Sequence, residues 1–77
     1  MASDIVIADD MWDGDEQAVV TNWFVSDGAA VTRNMLLAEI MVAKIQYEVR
    51  APADGVLTIV SKVDDIVSKG DVVGRIA

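Results

Sequence analysis

Apolar residues recur at every second position in short segments separated by acidic or glycine-containing breaks, as strands with one buried face require. These segments are Ile5 to Ala8, Val19 to Val25, Leu36 to Val42, Ile45 to Ala51, Val56 to Val60, a short one near Ile66, and Val72 to Ile76. Asp13-Gly14, Asp27-Gly28, Asp54-Gly55 and Lys69-Gly70 supply turn chemistry between them. No segment carries a convincing helical period, so the pattern predicts an all-β chain.

The sharpest signal is central. Leu36, Ala38, Ile40 and Val42 occupy even positions, whereas Ile45, Tyr47, Val49 and Ala51 occupy odd ones, so the phase flips at Ala43-Lys44. A hairpin with a two-residue loop pairs Val42 with Ile45, Ile40 with Tyr47, Ala38 with Val49 and Leu36 with Ala51, all apolar and on one face. The other face takes Met41 with Gln46, Glu39 with Glu48 and Leu37 with Arg50, a mostly polar set suited to solvent. Lys44 sits at the tip. Two features run against this hairpin: Ala-Lys is not the Asn-Gly or Asp-Gly chemistry of two-residue loops, and Glu39 faces Glu48. The alternation outweighs them, because a slip of one residue turns a whole apolar row outward.

A weak repeat runs through the chain at an offset of 36 residues, aligning Trp23 to Ile40 with Ile59 to Ile76. Val31 meets Val67 and Ile40 meets Ile76 as identities, and Asn34 falls where the second copy has Gly70. Asn and Gly both tolerate left-handed backbone, so both positions are expected to adopt it. Two similar β halves related by a pseudo-twofold axis follow. Lys44 answers to Ala8, so one half alone carries the lysine.

Composition narrows the chemistry. With 77 residues the chain makes one domain, residues 1–77, too small to enclose an active site of its own. It contains no cysteine and no histidine, which removes disulfides, zinc sites and the common nucleophile and base pairs. Thirteen acidic residues against six basic leave a net charge of −7, which opposes binding to nucleic acid or to anionic membranes and favours basic partners. Met1-Ala2-Ser3-Asp4 lacks a basic leader and no apolar run spans a bilayer, so a cytoplasmic chain is expected.

Trp23-Phe24-Val25-Ser26-Asp27-Gly28-Ala29-Ala30-Val31, the Leu37-Ala38-Glu39-Ile40 lead into the lysine hairpin, and Glu48-Val49-Arg50-Ala51-Pro52-Ala53-Asp54-Gly55 resemble the lipoyl/biotinyl carrier domains over essentially the whole chain. The resemblance implies a flattened β-barrel, or sandwich, of two four-stranded antiparallel sheets with pseudo-twofold symmetry, in agreement with the repeat. It further implies a non-catalytic carrier whose Lys44 is amidated with lipoate by a lipoate ligase or a lipoyl/octanoyl transferase. The swinging arm would then serve the decarboxylase, acyltransferase and dihydrolipoyl dehydrogenase of a 2-oxo acid dehydrogenase-type system. Biotin carriage for a carboxylase, or an unmodified binding module of the same fold, are the alternatives. Missing room for the protruding insertion of bacterial biotin carriers favours lipoate.

The tip departs from the family pattern. Ala43-Lys44-Ile45 stands where lipoyl domains usually have Asp-Lys-Ala and biotinyl domains Met-Lys-Met, and Met41 replaces an acidic residue three before the lysine. Met41, Val42, Ala43, Ile45 and Gln46 are expected to form the surface a modifying enzyme reads. Lys62 and Lys69 are expected to be ordinary surface charges, Trp23 and Phe24 packing residues, and Trp12 partly exposed in a loop. Asp9, Asp10, Asp13, Asp15 and Glu16 lack the glycine and closing glutamate of a helix-loop calcium site and read as a solvated acidic loop that steers basic partners.

Overall fold

Strands with one apolar face need a second apolar face to cover it, and the repeat supplies both. The computed structural model describes residues 3–77 and contains eight strands: β1 (Ser3–Val6), β2 (Ala18–Trp23), β3 (Ala30–Val31), β4 (Leu36–Val42), β5 (Ile45–Arg50), β6 (Gly55–Ile59), β7 (Ile66–Val67) and β8 (Val72–Ile76). They form two four-stranded antiparallel sheets, a terminal sheet ordered β1-β8-β6-β3 and a hairpin sheet ordered β5-β4-β2-β7. Adding four to each strand number, cyclically, converts one order into the other, as a pseudo-twofold axis demands. Val20, Leu37 and Ile40 from the hairpin sheet are buried among Leu57, Val73 and Ile76 from the terminal sheet.

The repeat is literal at the turns. Met35 N–H donates to Thr32 O and Asp71 N–H to Ser68 O, each at 3.0 Å and 36 residues apart. Asn34 (φ 72°) and Gly70 (φ 88°) are both left-handed, as the alignment predicts. Carboxylates hold these connections. Asp27 accepts from Ile59 N–H at 2.7 Å, Asp54 from Arg33 N–H at 2.6 Å, Asp65 from Lys62 N–H at 2.8 Å and Asp71 from Ser68 N–H at 2.7 Å. Part of the acidic surplus is therefore structural, satisfying backbone donors that short turns leave open.

Three sequence expectations need correction. The two-residue strand β3 was absent from the alternation, which has no room to develop over Ala30 and Val31; its repeat partner near Ile66 was the available clue. β1 lies at Ser3–Val6 rather than Ile5 to Ala8, because Ile7 leaves the ladder to donate to Asp71 O at 2.9 Å. Leu36 and Leu37 also exchange roles. Leu36 pairs with Arg50, not Ala51, and the next pair is Ala38 with Val49, so a β-bulge places the extra residue Leu37 between them. Leu37 and Ala38 are buried in succession while Leu36 is half-buried.

That bulge makes a test. Leu37→Ala should lower unfolding free energy by about 3 kcal/mol, within the range for a buried leucine, whereas Leu36→Ala should cost roughly 1 kcal/mol. Urea melts of the two variants check it. The reverse ranking would restore the unbroken register.

Candidate functional site

The hairpin forms as the phase flip requires from Ala38 to Val42: Ala38 pairs with Val49, Glu39 with Glu48, Ile40 with Tyr47, Met41 with Gln46 and Val42 with Ile45. Two residues then close the chain. Ala43 has φ 47° and Lys44 φ 75°, the consecutive left-handed pair that matches strand twist in a two-residue turn. Neither residue type favours that region, where a Cβ costs about 1–2 kcal/mol. The register enforces it: Ile40, Val42 and Val49 are all buried, and relaxing the turn would splay the strands that bury them.

The opposed carboxylates are relieved laterally. Glu48 Oε1 takes Arg50 at 3.0 Å, an exposed pair worth at most about 1 kcal/mol. With its amide nitrogen turned toward Glu39, Gln46 donates to both carboxylate oxygens at 3.0 and 3.2 Å. Each glutamate thus has a donor of its own on a half-exposed surface.

Lys44 is exposed at the tip, and among the described residues no carboxylate lies within ion-pair distance of its amine. Ala43, Ile45 and Gln46 are exposed around it and Met41 is half-buried. Val42 is not part of this surface. It is buried on the inner face, opposite Ile45, which is 57% exposed because the hairpin here projects past the core.

The other lysines are placed differently. Lys62 is exposed in the turn after β6, beside an open groove shared with Trp23 and Phe24. Lys69 is no free surface charge. Its Nζ donates to Gly14 O at 2.8 Å and lies 5.3 Å from the Trp12 ring centroid.

Trp12 is buried, contrary to the expectation of a partly exposed loop residue. Its ring meets that of Tyr47 at 5.9 Å, and its Nε1 donates to Glu16 O at 3.1 Å. A large aromatic among five carboxylates was the available signal, since such a side chain is rarely left in water without a role. The loop of residues 9–16 is thereby pinned against Tyr47 of β5, with its carboxylates exposed. Trp23 packs on the core and donates to Ser61 O at 2.7 Å, as a packing residue should, but Phe24 is 48% exposed.

Lys69→Met should remove one hydrogen bond and one cation–π contact, costing about 1 kcal/mol in total. Hydrogen exchange should then speed at residues 12–16 while the β4–β5 amides keep their protection. Uniform acceleration through both would show that Lys69 supports the fold at large.

Among known proteins, the family model described as "Biotin-requiring enzyme", of the biotin and lipoyl attachment type, matches residues 10–76. Over 61 residues the chain is 36% identical to the dihydrolipoyllysine-residue succinyltransferase component of 2-oxoglutarate dehydrogenase complex of Rickettsia felis (strain ATCC VR-1525 / URRWXCal2). The match covers 78% of this chain and 15% of that protein, so the chain spans a small part of its relative's length. Two four-stranded sheets related by a pseudo-twofold, a lysine alone at the tip of a two-residue hairpin and a family match over nearly the whole chain have one common reading: the chain belongs to the lipoyl/biotinyl carrier domain family.

Proposed function

We propose that Lys44 is the attachment lysine and that its cargo is lipoate, carried for a 2-oxo acid dehydrogenase-type acyl transfer system. The observation that carries this reading is the tip itself. Two consecutive non-glycine residues occupy left-handed backbone there, and the second presents an amine to solvent. Strain of this kind concentrates where a position serves function. Covalent attachment needs an accessible amine and no enclosing pocket, and Lys44 fits that requirement. The name of the Rickettsia relative, which specifies a dihydrolipoyllysine residue, favours lipoate over biotin.

The chain's own residues do limited work. A lysine ammonium is not a nucleophile, so the modifying enzyme must take its proton and supply an activated acyl donor. The hairpin holds the amine at a defined place on a rigid sheet, and the Lys44 torsions add reach. Held by an amide to Lys44, lipoate would supply a dithiolane as the acyl-carrying group. The acidic loop of residues 9–16 is anchored on Tyr47 of the same hairpin, and its exposed carboxylates would speed encounter with a basic partner surface at low salt.

Intact mass spectrometry after expression in a lipoylation-competent, biotin-replete host tests the assignment. A lipoyl increment is expected, with formal charge falling from −7 to −8 because one cation is lost. A biotin increment would place the chain with carboxylase carriers, and no increment would leave an unmodified binding module. Lys44→Ala should abolish modification and change stability by less than about 0.5 kcal/mol, as for an exposed tip. Modification persisting at Lys62 or Lys69 would overturn the site.

Position 43 tests the partner surface. Asp tolerates left-handed backbone, so Ala43→Asp should leave the turn intact. The lipoylated variant should be acylated faster by a decarboxylase adapted to Asp-Lys-Ala carriers. One surface contact makes the gain about 1 kcal/mol or less, shrinking at high salt. Equal rates at two ionic strengths would show that position 43 does not select the partner.

A further inference from the structure

Three apolar side chains on the outer face of the hairpin sheet fall in a line. Register pairs set Gln46 opposite Met41, Met41 opposite Val19 and Val19 opposite Ile66, so one row crosses the sheet from β5 to β7. Buried neighbours flank Val19 and Met41, and buried Val67 follows Ile66, which puts all three apolar side chains on the outer face. Val19 is 38% exposed and Ile66 64%. The bordering rows are polar. Gln17 Nε2 donates to Ser68 Oγ at 3.1 Å on the tip side, and Glu39 and Glu48 lie on the other.

Width and reach decide what covers this row. A stable protein interface buries about 800 Å² on each partner, far more than three side chains in single file present, whereas an unbranched chain needs no more than such a row. Neighbouring strands lie about 4.8 Å apart, so the step from Met41 on β4 to Ile66 on β7 is roughly 10 Å. The row starts at Met41, three positions before Lys44. Lys44 lies about 10 Å along the strand from Met41, so the diagonal from Lys44 to Ile66 is roughly 14 Å, which a lysine side chain lengthened by a medium-chain acyl amide spans when extended.

We propose that Met41, Val19 and Ile66 form a resting track for the amidated Lys44 arm, on which its apolar chain lies between transfers. The track rests on the reading of Lys44 as the attachment point. Before modification the ammonium keeps the side chain in water; amidation removes that charge and adds the apolar length that the row matches. The carboxylates of Glu39 and Glu48, bonded to Gln46 and Arg50, confine the arm to the row because displacing their hydration would be costly. Holding the arm also costs conformational entropy, so it exchanges between the track and solvent and remains available.

Amide and methyl NMR spectra of the domain with and without lipoate on Lys44 test this, with intact mass and peptide mapping first establishing that the arm is attached. Shift changes are expected at Val19, Met41 and Ile66 as well as at residues 43–46, with Overhauser contacts from arm methylenes to the Val19 and Ile66 methyls. The double variant Val19→Thr, Ile66→Ser alters only outer-face side chains and should keep a dispersed spectrum. It should accept lipoate equally, yet lose the distant shifts and contacts while retaining those at the tip. Changes confined to residues 43–46, distant changes that persist in the double variant, or changes that appear only after a partner enzyme is added would each overturn the track. Failure of Lys44 to take up an arm would overturn the attachment reading, and the track with it.

Discussion

The inward orientation of Ile40, Val42 and Val49 is the constraint on which the rest of the hairpin depends. Once these side chains are buried together, strands β4 and β5 admit one register. The tip must then turn in two residues, and both must be left-handed. Burial of each large aliphatic side chain contributes about 1.5–3 kcal/mol, which outweighs the roughly 1–2 kcal/mol that each left-handed non-glycine residue costs. Core packing thus holds a lysine in a backbone conformation its own preferences oppose, in the turn between β4 and β5.

The acidic surplus divides into two physical roles. Asp27, Asp54, Asp65 and Asp71 accept backbone N–H groups and make the connections between strands regular. The carboxylates between Asp9 and Glu16 are held by what lies beneath them: Trp12 against Tyr47, and Lys69 against Trp12 and Gly14. A charged loop that repels itself stays beside the hairpin because one buried aromatic anchors it. Charge faces outward and the apolar anchor faces in.

Pseudo-symmetry explains why one end of the molecule is special. Strands β8 and β1 in the terminal sheet occupy the places of β4 and β5 in the hairpin sheet, but no turn links them, and they pair through Ser3 and Ile76. The same architecture therefore occurs twice while a closed, strained tip occurs once. The Lys44 hairpin and the outer row of Met41, Val19 and Ile66 both belong to the sheet that has it.

Periodicity in the sequence was enough to establish the strands other than β3 and the bounds of β1, the phase flip at Ala43-Lys44 and the lysine at the tip, because each is a local pattern that a single buried face imposes; the 36-residue repeat marked the left-handed positions Asn34 and Gly70. The tertiary structure decided what depends on residues distant in the chain. Leu37 is buried because a bulge opposite Arg50 and Val49 turns it inward, and a bulge leaves no mark on alternation beyond one extra apolar residue. Trp12 and Lys69 read singly as a loop aromatic and a surface charge, and became an anchor only when folding brought residues 47, 69 and 12 together. The row from Met41 to Ile66 was invisible for the same reason. Its members are 22 and 25 residues apart in sequence and adjacent only through hydrogen-bonded registers, which packing selects and sequence order does not record.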